Sequence, residues 1–393
     1  MINDYKITVF GAIPKHWQIV EVNDITKEHK QGYYTKDDYV ENGIRLARIT
    51  DLNNPIVDYS DMPKLKISDS DFQSYKIEKN DFLFARSGAI GRYGIVEKNE
   101  FPAIFASYLI RFRFNSDIVN RFFGYFFESN LCSKQLKGIS QGNANININA
   151  ENIKSLKFPR PPLSEQQKIA EILSTVDAKI EIIDQQISET QELKKGLMQQ
   201  LLTKGIGHAE FKDSALGKIP KSWEVVKLGD LFKLSSGSGL SKAIAVEGEF
   251  QVYGGNGFAY YHNEFTHENS ELIIGRVGAK CGCIHRTTEK SWITDNALII
   301  HTRLKDFDDL YLEYVLRKLD LNQFANKNAQ PVISGGKIYS IRISLPSLLE
   351  QNEISSILSS VDDKLEVLSE KKITYQELKQ GLMQQLLTGK VRV

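Results

Sequence analysis

Long apolar runs are missing from this chain of 393 residues, and so is any surplus of one charge. No stretch approaches the roughly 18 apolar residues of a spanning helix, so no membrane association is expected. Cysteine is scarce: three residues, two of them in a C-x-C, make no disulfide framework. The opening MINDYKITVFGAIPKHW has neither the basic nor the apolar region of a signal peptide, and a cytoplasmic location is expected. With 41% hydrophobic and 25% charged residues, the composition is that of a folded globular protein and excludes disorder.

Catalytic patterns are missing too. Cys281, Cys283 and His285 follow C-x-C-x-H, but a tetrahedral structural site needs a fourth ligand. The SGGK at 334–337 has Pro331 where a phosphate loop needs its first glycine, and Ile338 where Ser or Thr should hold magnesium. NNPIV at 53–57 is not the Asn- or Asp-Pro-Pro-aromatic motif of amino-methyltransferases. No G-x-G-x-x-G follows a strand, and no nucleophile–base set stands out. We therefore expect no catalytic residue, no metal site and no cofactor on this chain.

What is present is a repeat. Residues 191–203 read QELKKGLMQQLLT and residues 376–388 read QELKQGLMQQLLT, identical at 12 of 13 positions. The match widens to 23 of 41 positions between 163–203 and 348–388. A second match, at a different offset, aligns 4–25 with 210–231 through Gly11/Gly217, the Ile-Pro-Lys runs at 13–15 and 219–221, Trp17/Trp223 and Asp24/Asp230. The unit is a lead-in segment, a variable domain, a proline stop and a long helix, and it occurs twice. We place a first globular domain at 1–160, its helix at 161–204, a linker at 205–218, a second globular domain at 219–345 and its helix at 346–390.

The long segments have the heptad spacing of a coiled coil: Ile169, Leu173, Val176, Ile180, Ile183 and Ile187 in the first, Ile354, Leu358, Val361, Leu365 and Leu368 in the second. Prolines 159, 161, 162 and 346 stand just before them, where a helix starts but cannot continue upstream. A helix of this length is a rod near 58 Å, by about 1.5 Å per residue. So narrow a seam wants a partner of matching length, and the other copy, run antiparallel, supplies it. Lys194, Lys372 and Tyr375 interrupt the seam. Gly196 and Gly381 suggest either a close backbone approach or a break in the helix. Each helical stretch carries net −3, so the remainder holds +7 against a whole-chain charge of +1, and the globular parts are suited to face phosphate.

The variable domains read as mixed α/β, an α+β arrangement of glycine-turned strands with one helical stretch each (121–136 and 310–324). In both, a strand ends in an arginine beside a glycine, Arg86 with Ser87 and Gly88, Arg276 with Gly278 and Lys280. An arginine so placed can present five donors to phosphate or guanine. Asparagine-rich loops follow, with Asn143 and Asn145 in one and Asn328 and Gln330 in the other; they suit adenine edges or Asx turns alike. Tyr33, Lys36, Arg45 and Arg48 in the first domain, and Tyr253 and Asn256 in the second, complete the candidate DNA contacts.

The chain resembles the DNA-specificity subunit of type I restriction–modification systems along nearly its whole length. The resemblance rests on the paired L-x-EQ (Leu163 and Glu165-Gln166; Leu348 and Glu350-Gln351), the ELK-x-GLMQQLLT tails and the G-x-IP-x-x-W lead-ins. It implies that each variable domain is a target-recognition domain reading one half of a bipartite, asymmetric site in double-stranded DNA. It implies further that the helices form an antiparallel coiled coil that spaces the halves and docks two modification subunits. Those partners would carry S-adenosylmethionine, and restriction subunits with ATP and Mg would join them. The specificity component of a related combined restriction–methylation enzyme, and a coiled-coil scaffold that binds only proteins, are the alternatives.

Overall fold

The computed structural model describes residues 4–86, 91–139, 148–326 and 331–393. The chain forms two compact units: residues 1–184 with 371–393, and residues 185–370. Each unit is therefore a globular domain, the first half of its own long helix and the last part of the other one. No helix among the described residues is long and apolar enough to cross a membrane.

In the first unit the strands Thr26–Gln31, Leu109–Phe114, Phe82–Ala85 and Tyr93–Ile95 lie side by side and antiparallel, and Ile56–Val57 and Leu52–Asn53 extend the sheet. A smaller sheet sets Ile44–Ala47 between Ala103–Phe105 and Lys64–Leu65. Alternate residues of the strands meet the aromatic helix Asn120–Glu128, so Phe82, Phe84, Phe112, Phe122, Phe123 and Phe126 are fully buried. The helical stretch expected over 121–136 is two helices, since Ser129 takes an extended conformation (ψ 159°) between Glu128 and Asn130.

The second unit repeats this order with fewer strands. Phe232–Ser236, Ala297–Arg303, Leu272–Gly275 and Ile284–Arg286 make one antiparallel sheet, and Phe250–Gly254 pairs in parallel with Trp292–Ile293 in another. Helix Asp309–Lys318 occupies the place of the aromatic helix. The expected α/β architecture, duplicated and joined by two long helices, is the one observed.

The long helices run from Leu163 to Lys204 and from Leu348 to Leu386. The repeated Glu-Gln pair near each start now has a physical reason. Glu165 accepts the indole N–H of buried Trp17 at 3.0 Å, and Glu350 accepts that of Trp223 at 2.9 Å. Gln166 accepts the backbone N–H of Val119 and donates to the carbonyls of Asp117 and Pro161. Gln351 accepts the N–H of Asp308 and donates to Pro346. Val119 and Asp308 are the N-cap residues of the two domain helices, so each glutamine satisfies a donor that the helix leaves open. One dipeptide thus fastens the lead-in tryptophan and the domain helix to the rod.

The end of the opposite helix closes each seat. Ile169 and Leu173 share a core with Met383, Leu386 and Leu387, while Ile354 and Leu358 share one with Leu201 and Leu202. Gly205 directly follows the first helix and Gly389 lies three residues beyond the second, both left-handed (φ +66° and +64°); a Cβ would strike Glu350 and Trp223 at the first and Pro14 at the second. Start meets end in both units, which fixes the antiparallel sense.

Ion pairs mark the register. Lys379 pairs with Asp177, Lys372 with Asp184, and Lys194 with Asp362. From the first pair to the second both indices move by seven, in opposite directions, and then by ten. The lysines that interrupt the apolar seam are therefore its cross-links. Ile169, Leu173, Val176, Ile183, Ile354, Leu358, Val361 and Leu368 are buried, and Ile180, Ile187 and Leu365 are half-buried. Neither expectation for the helix glycines holds. Both helices continue through Gly196 and Gly381, and a Cβ at either would meet nothing within 4 Å.

Candidate nucleic-acid interface

The two arginines singled out at strand ends sit in the same backbone frame. In the first domain Arg86 donates its N–H to the carbonyl of Tyr108 (2.8 Å) and accepts from Ile148 (2.9 Å). In the second, Arg276 donates to Asn296 (2.8 Å) and accepts from Ile333 (2.9 Å). Tyr108 and Asn296 each occupy the third position of a tight turn, closed by Leu109 N–H on Ala106 (2.8 Å) and by Ala297 N–H on Thr294 (3.1 Å). A third strand-end backs the turn: Tyr33 donates to Phe105 and Gly32 to Leu109, just as Ser238 donates to Ile293 and Gly237 to Ala297. Ala106 donates to Ala47, and Thr294 to Tyr253.

Six backbone hydrogen bonds thus recur in two domains whose sequences have drifted apart. The two glycines are required by closeness: a Cβ on Gly32 would lie 2.1 Å from the Ala106 carbonyl oxygen, and one on Gly237 2.3 Å from that of Ile293. The frame holds the arginine's strand-end, the turn and the glycine strand-end together, with Ala47 and Ile148 also bonded to it in the first domain. A guanidinium carries five donors, which suit a phosphate or a base edge.

The other candidates divide. Lys36, Asn256 and Lys280 are exposed, Asn256 at the tip of the hairpin joining Phe250–Gly254 to Gly257–His262. Tyr33 is half-buried, its ring edge-on to Tyr75 at 5.2 Å. Arg45 stacks its guanidinium over Phe101 at 3.7 Å. Two candidates are engaged within the protein. Arg48 is bonded to both carboxylate oxygens of Asp51 (3.0 and 2.8 Å) and to the Asp61 carbonyl. Tyr253 is a core residue, 6% exposed, with its hydroxyl donating to Gln251. Ser87, Asn143, Asn145, Asn328 and Gln330 lie outside the described residues.

Two positions escaped the sequence reading. Tyr108 (62% exposed) and Asn296, also exposed, belong to the shared frame, and their carbonyls accept the backbone N–H groups of the arginines. The signal was available: ASYLI at 106–110 and TDNAL at 294–298 each place two turn residues ahead of an apolar strand. Among the described residues no group of three or more His, Cys, Asp or Glu is placed to hold a metal. His285, from the C-x-C-x-H pattern, has its pKa lowered by burial and by the nearby Arg317 and Lys280.

Against known families, the type I restriction modification DNA specificity domain matches twice, over residues 14–192 and 220–377. The chain belongs to the family of type I restriction–modification specificity subunits. Its length is matched end to end by relatives. It is 30% identical to the MjaX specificity subunit, assigned to a type I restriction enzyme of Methanocaldococcus jannaschii, over 99% of this chain and 97% of that one. It is 26% identical to the type I restriction enzyme MjaVIII specificity subunit of the same organism, over 97% and 94%. The crystal structure of the S subunit of a type I restriction–modification system from M. genitalium superposes with a TM-score of 0.62 at 16% identity, covering 94% of this chain and 96% of that one. The duplicated frame is thus part of a DNA-binding specificity subunit with two target-recognition domains.

Proposed function

We propose that this specificity subunit reads a bipartite, asymmetric DNA site, one half through each domain, and that the paired helices set the spacing between the halves. The observation that carries the reading is the duplicated arginine frame, whose backbone bonds are the same and whose exposed side chains differ. Equal frames give both domains the same way of meeting DNA, and unequal side chains give them different sequences to read. Half-sites about one duplex turn (~34 Å) apart present the same face of DNA, and a rod of about 40 residues at ~1.5 Å each is long enough to span that distance.

Two modification subunits, carrying S-adenosylmethionine, dock on the helices. Support comes from identity where the fold does not demand it. Leu193 and Leu378 are 52% and 47% exposed, and Gly196 and Gly381 stand one turn further on with open space beside them. The same exposed stripe, present twice, fits two copies of one partner. Restriction subunits that use ATP and Mg complete the assembly, and the chemistry belongs to these partners while this chain supplies recognition.

Sequencing the methylated sites of the host, with the native chain and with a chimera exchanged over residues 232–330, tests the reading. One half of the methylated sequence is expected to change, with the other half and the gap retained. A chimera that alters both halves refutes modular reading. Absence of sequence-specific methylation with the native chain and its partners would favour the protein-binding scaffold instead.

A further inference from the structure

We infer that Tyr108 and Asn296 are the paired specificity-determining residues of the two domains, each facing the base edges that its own half-site presents. The inference rests on the bipartite reading above and goes beyond it to single side chains. Its basis is a contrast within one molecule. The turn that carries the residue is held by the same bonds in both domains: to the arginine behind it, to the glycine strand-end beside it and across its own ends. A position gripped this tightly gives its side chain a fixed origin and direction, which base reading requires. At the third position of that turn, exposed in both domains, the residues differ in kind, tyrosine in one domain and asparagine in the other.

Their chemistry predicts different targets. The amide of Asn296 places a donor and an acceptor side by side, the pattern that pairs with N6 and N7 of adenine in the major groove. Tyr108 has no such pair. Its ring offers an apolar face to a base or a thymine methyl, and its hydroxyl a single hydrogen bond. Arg86 and Arg276, the same in both domains, position the frame on the backbone, so the difference between half-sites falls on the neighbouring turn residue. Asn296 should therefore face an adenine in the second domain's half-site, and Tyr108 should not in the first.

The test uses the full chain in its native host. The Asn296→Ala and Tyr108→Ala alleles replace the native one, and methylated sites are sequenced. Asn296→Ala is expected to relax one base pair of one half-site, with preference for adenine there falling by about tenfold to a hundredfold. The other half-site, read by the same molecules, stays unchanged and serves as the folding control. Tyr108→Ala is expected to relax one base pair of the opposite half. Unaltered preference in both variants overturns the inference while leaving the bipartite reading intact. Loss of a bipartite sequence in the native host overturns that reading itself.

If Asn296→Ala abolishes methylation, the isosteric Asn296→Asp decides. It keeps the shape, removes the donor and is expected to move preference from adenine toward cytosine, whose N4 donates. Retention of adenine by this variant overturns the inference. Should both variants be inactive, their melting temperatures decide: native values support a reading role, and values lowered by several degrees show that Asn296 only holds the turn.

Discussion

Lys379 and Lys194 occupy equivalent places in the two halves of the repeat, yet their removal should have unequal effects. Lys379 lies between two carboxylates, Glu128 at 3.0 Å and Asp177 at 2.8 Å, over the ring of Tyr125, whose hydroxyl donates to Asp177. Lys194 meets one carboxylate, Asp362, which also accepts from Tyr314. The exposures separate the cases. Side chains of Lys379, Glu128 and Asp177 are 19%, 18% and 24% exposed, whereas Asp362 is 38% exposed. Removing one partner of a fully buried pair costs about 3–5 kcal/mol, because the other charge is stranded. Allowing for one-fifth exposure, Lys379→Met should cost about 2–3 kcal/mol, with two carboxylates left facing one another. Lys194→Met strands one carboxylate that water reaches, and should cost about 1 kcal/mol.

Thermal and urea unfolding of the two variants measures the difference. At about 2–4 °C per kcal/mol for a unit of this size, Lys379→Met should melt about 4–12 °C below the native protein and Lys194→Met only a few degrees below it. Adding Glu128→Gln to Lys379→Met should recover part of the loss, since it removes one stranded charge. Equal costs for the two lysines, or no recovery from Glu128→Gln, would show that the pairs contribute through packing and not through charge.

Three further outcomes follow from the same geometry. Glu350→Leu should cost about 2–3 kcal/mol, because it orphans the N–H groups of buried Trp223 and of Ile206, while Glu350→Gln, which keeps an acceptor, should cost less than half as much; urea midpoints followed by tryptophan fluorescence distinguish them. Gly237→Ala should destabilise the second domain by more than 2 kcal/mol and disturb its half-site only, since the new methyl would press on backbone carbonyls of Ile293 and Thr294; calorimetry and methylated-site sequencing check both parts. The third concerns pH. Burial opposes the charge on Lys379, but Glu128 and Asp177 outweigh it and raise its pKa above the ordinary 10.5. A raised lysine stabilises fully below its unfolded value and loses that contribution as pH climbs through the folded one. The gap in urea midpoint between the native protein and Lys379→Met should thus be constant near neutrality and close above about pH 10.5; a gap that persists there would assign it to packing.

The repeat, the helix pair and the family were legible because they depend on local and periodic signals. Heptad spacing, proline stops and duplicated motifs each act within a few turns of chain. Even so, the sequence showed the Glu-Gln pair and the lead-in tryptophan only as separate motifs. That Glu165 and Trp17 form one joint depends on a contact across nearly 150 positions, which no local pattern encodes. Arg48 and Tyr253 looked available by residue type alone. Folding placed Asp51 against the first and buried the second, and both outcomes depend on neighbours supplied by the tertiary structure.

The candidate interface shows the same division. Its arginines were visible as an aligned pair beside glycines, whereas Tyr108 and Asn296 were not, because the turn that carries them matters only through what it touches. What the sequence determined by itself was two copies of one plan, with long rods to join them, since periodicity and punctuation are properties of the chain. What only the tertiary structure decided was which exposed side chain stands beside each arginine, since that requires three distant strand-ends to meet through backbone hydrogen bonds.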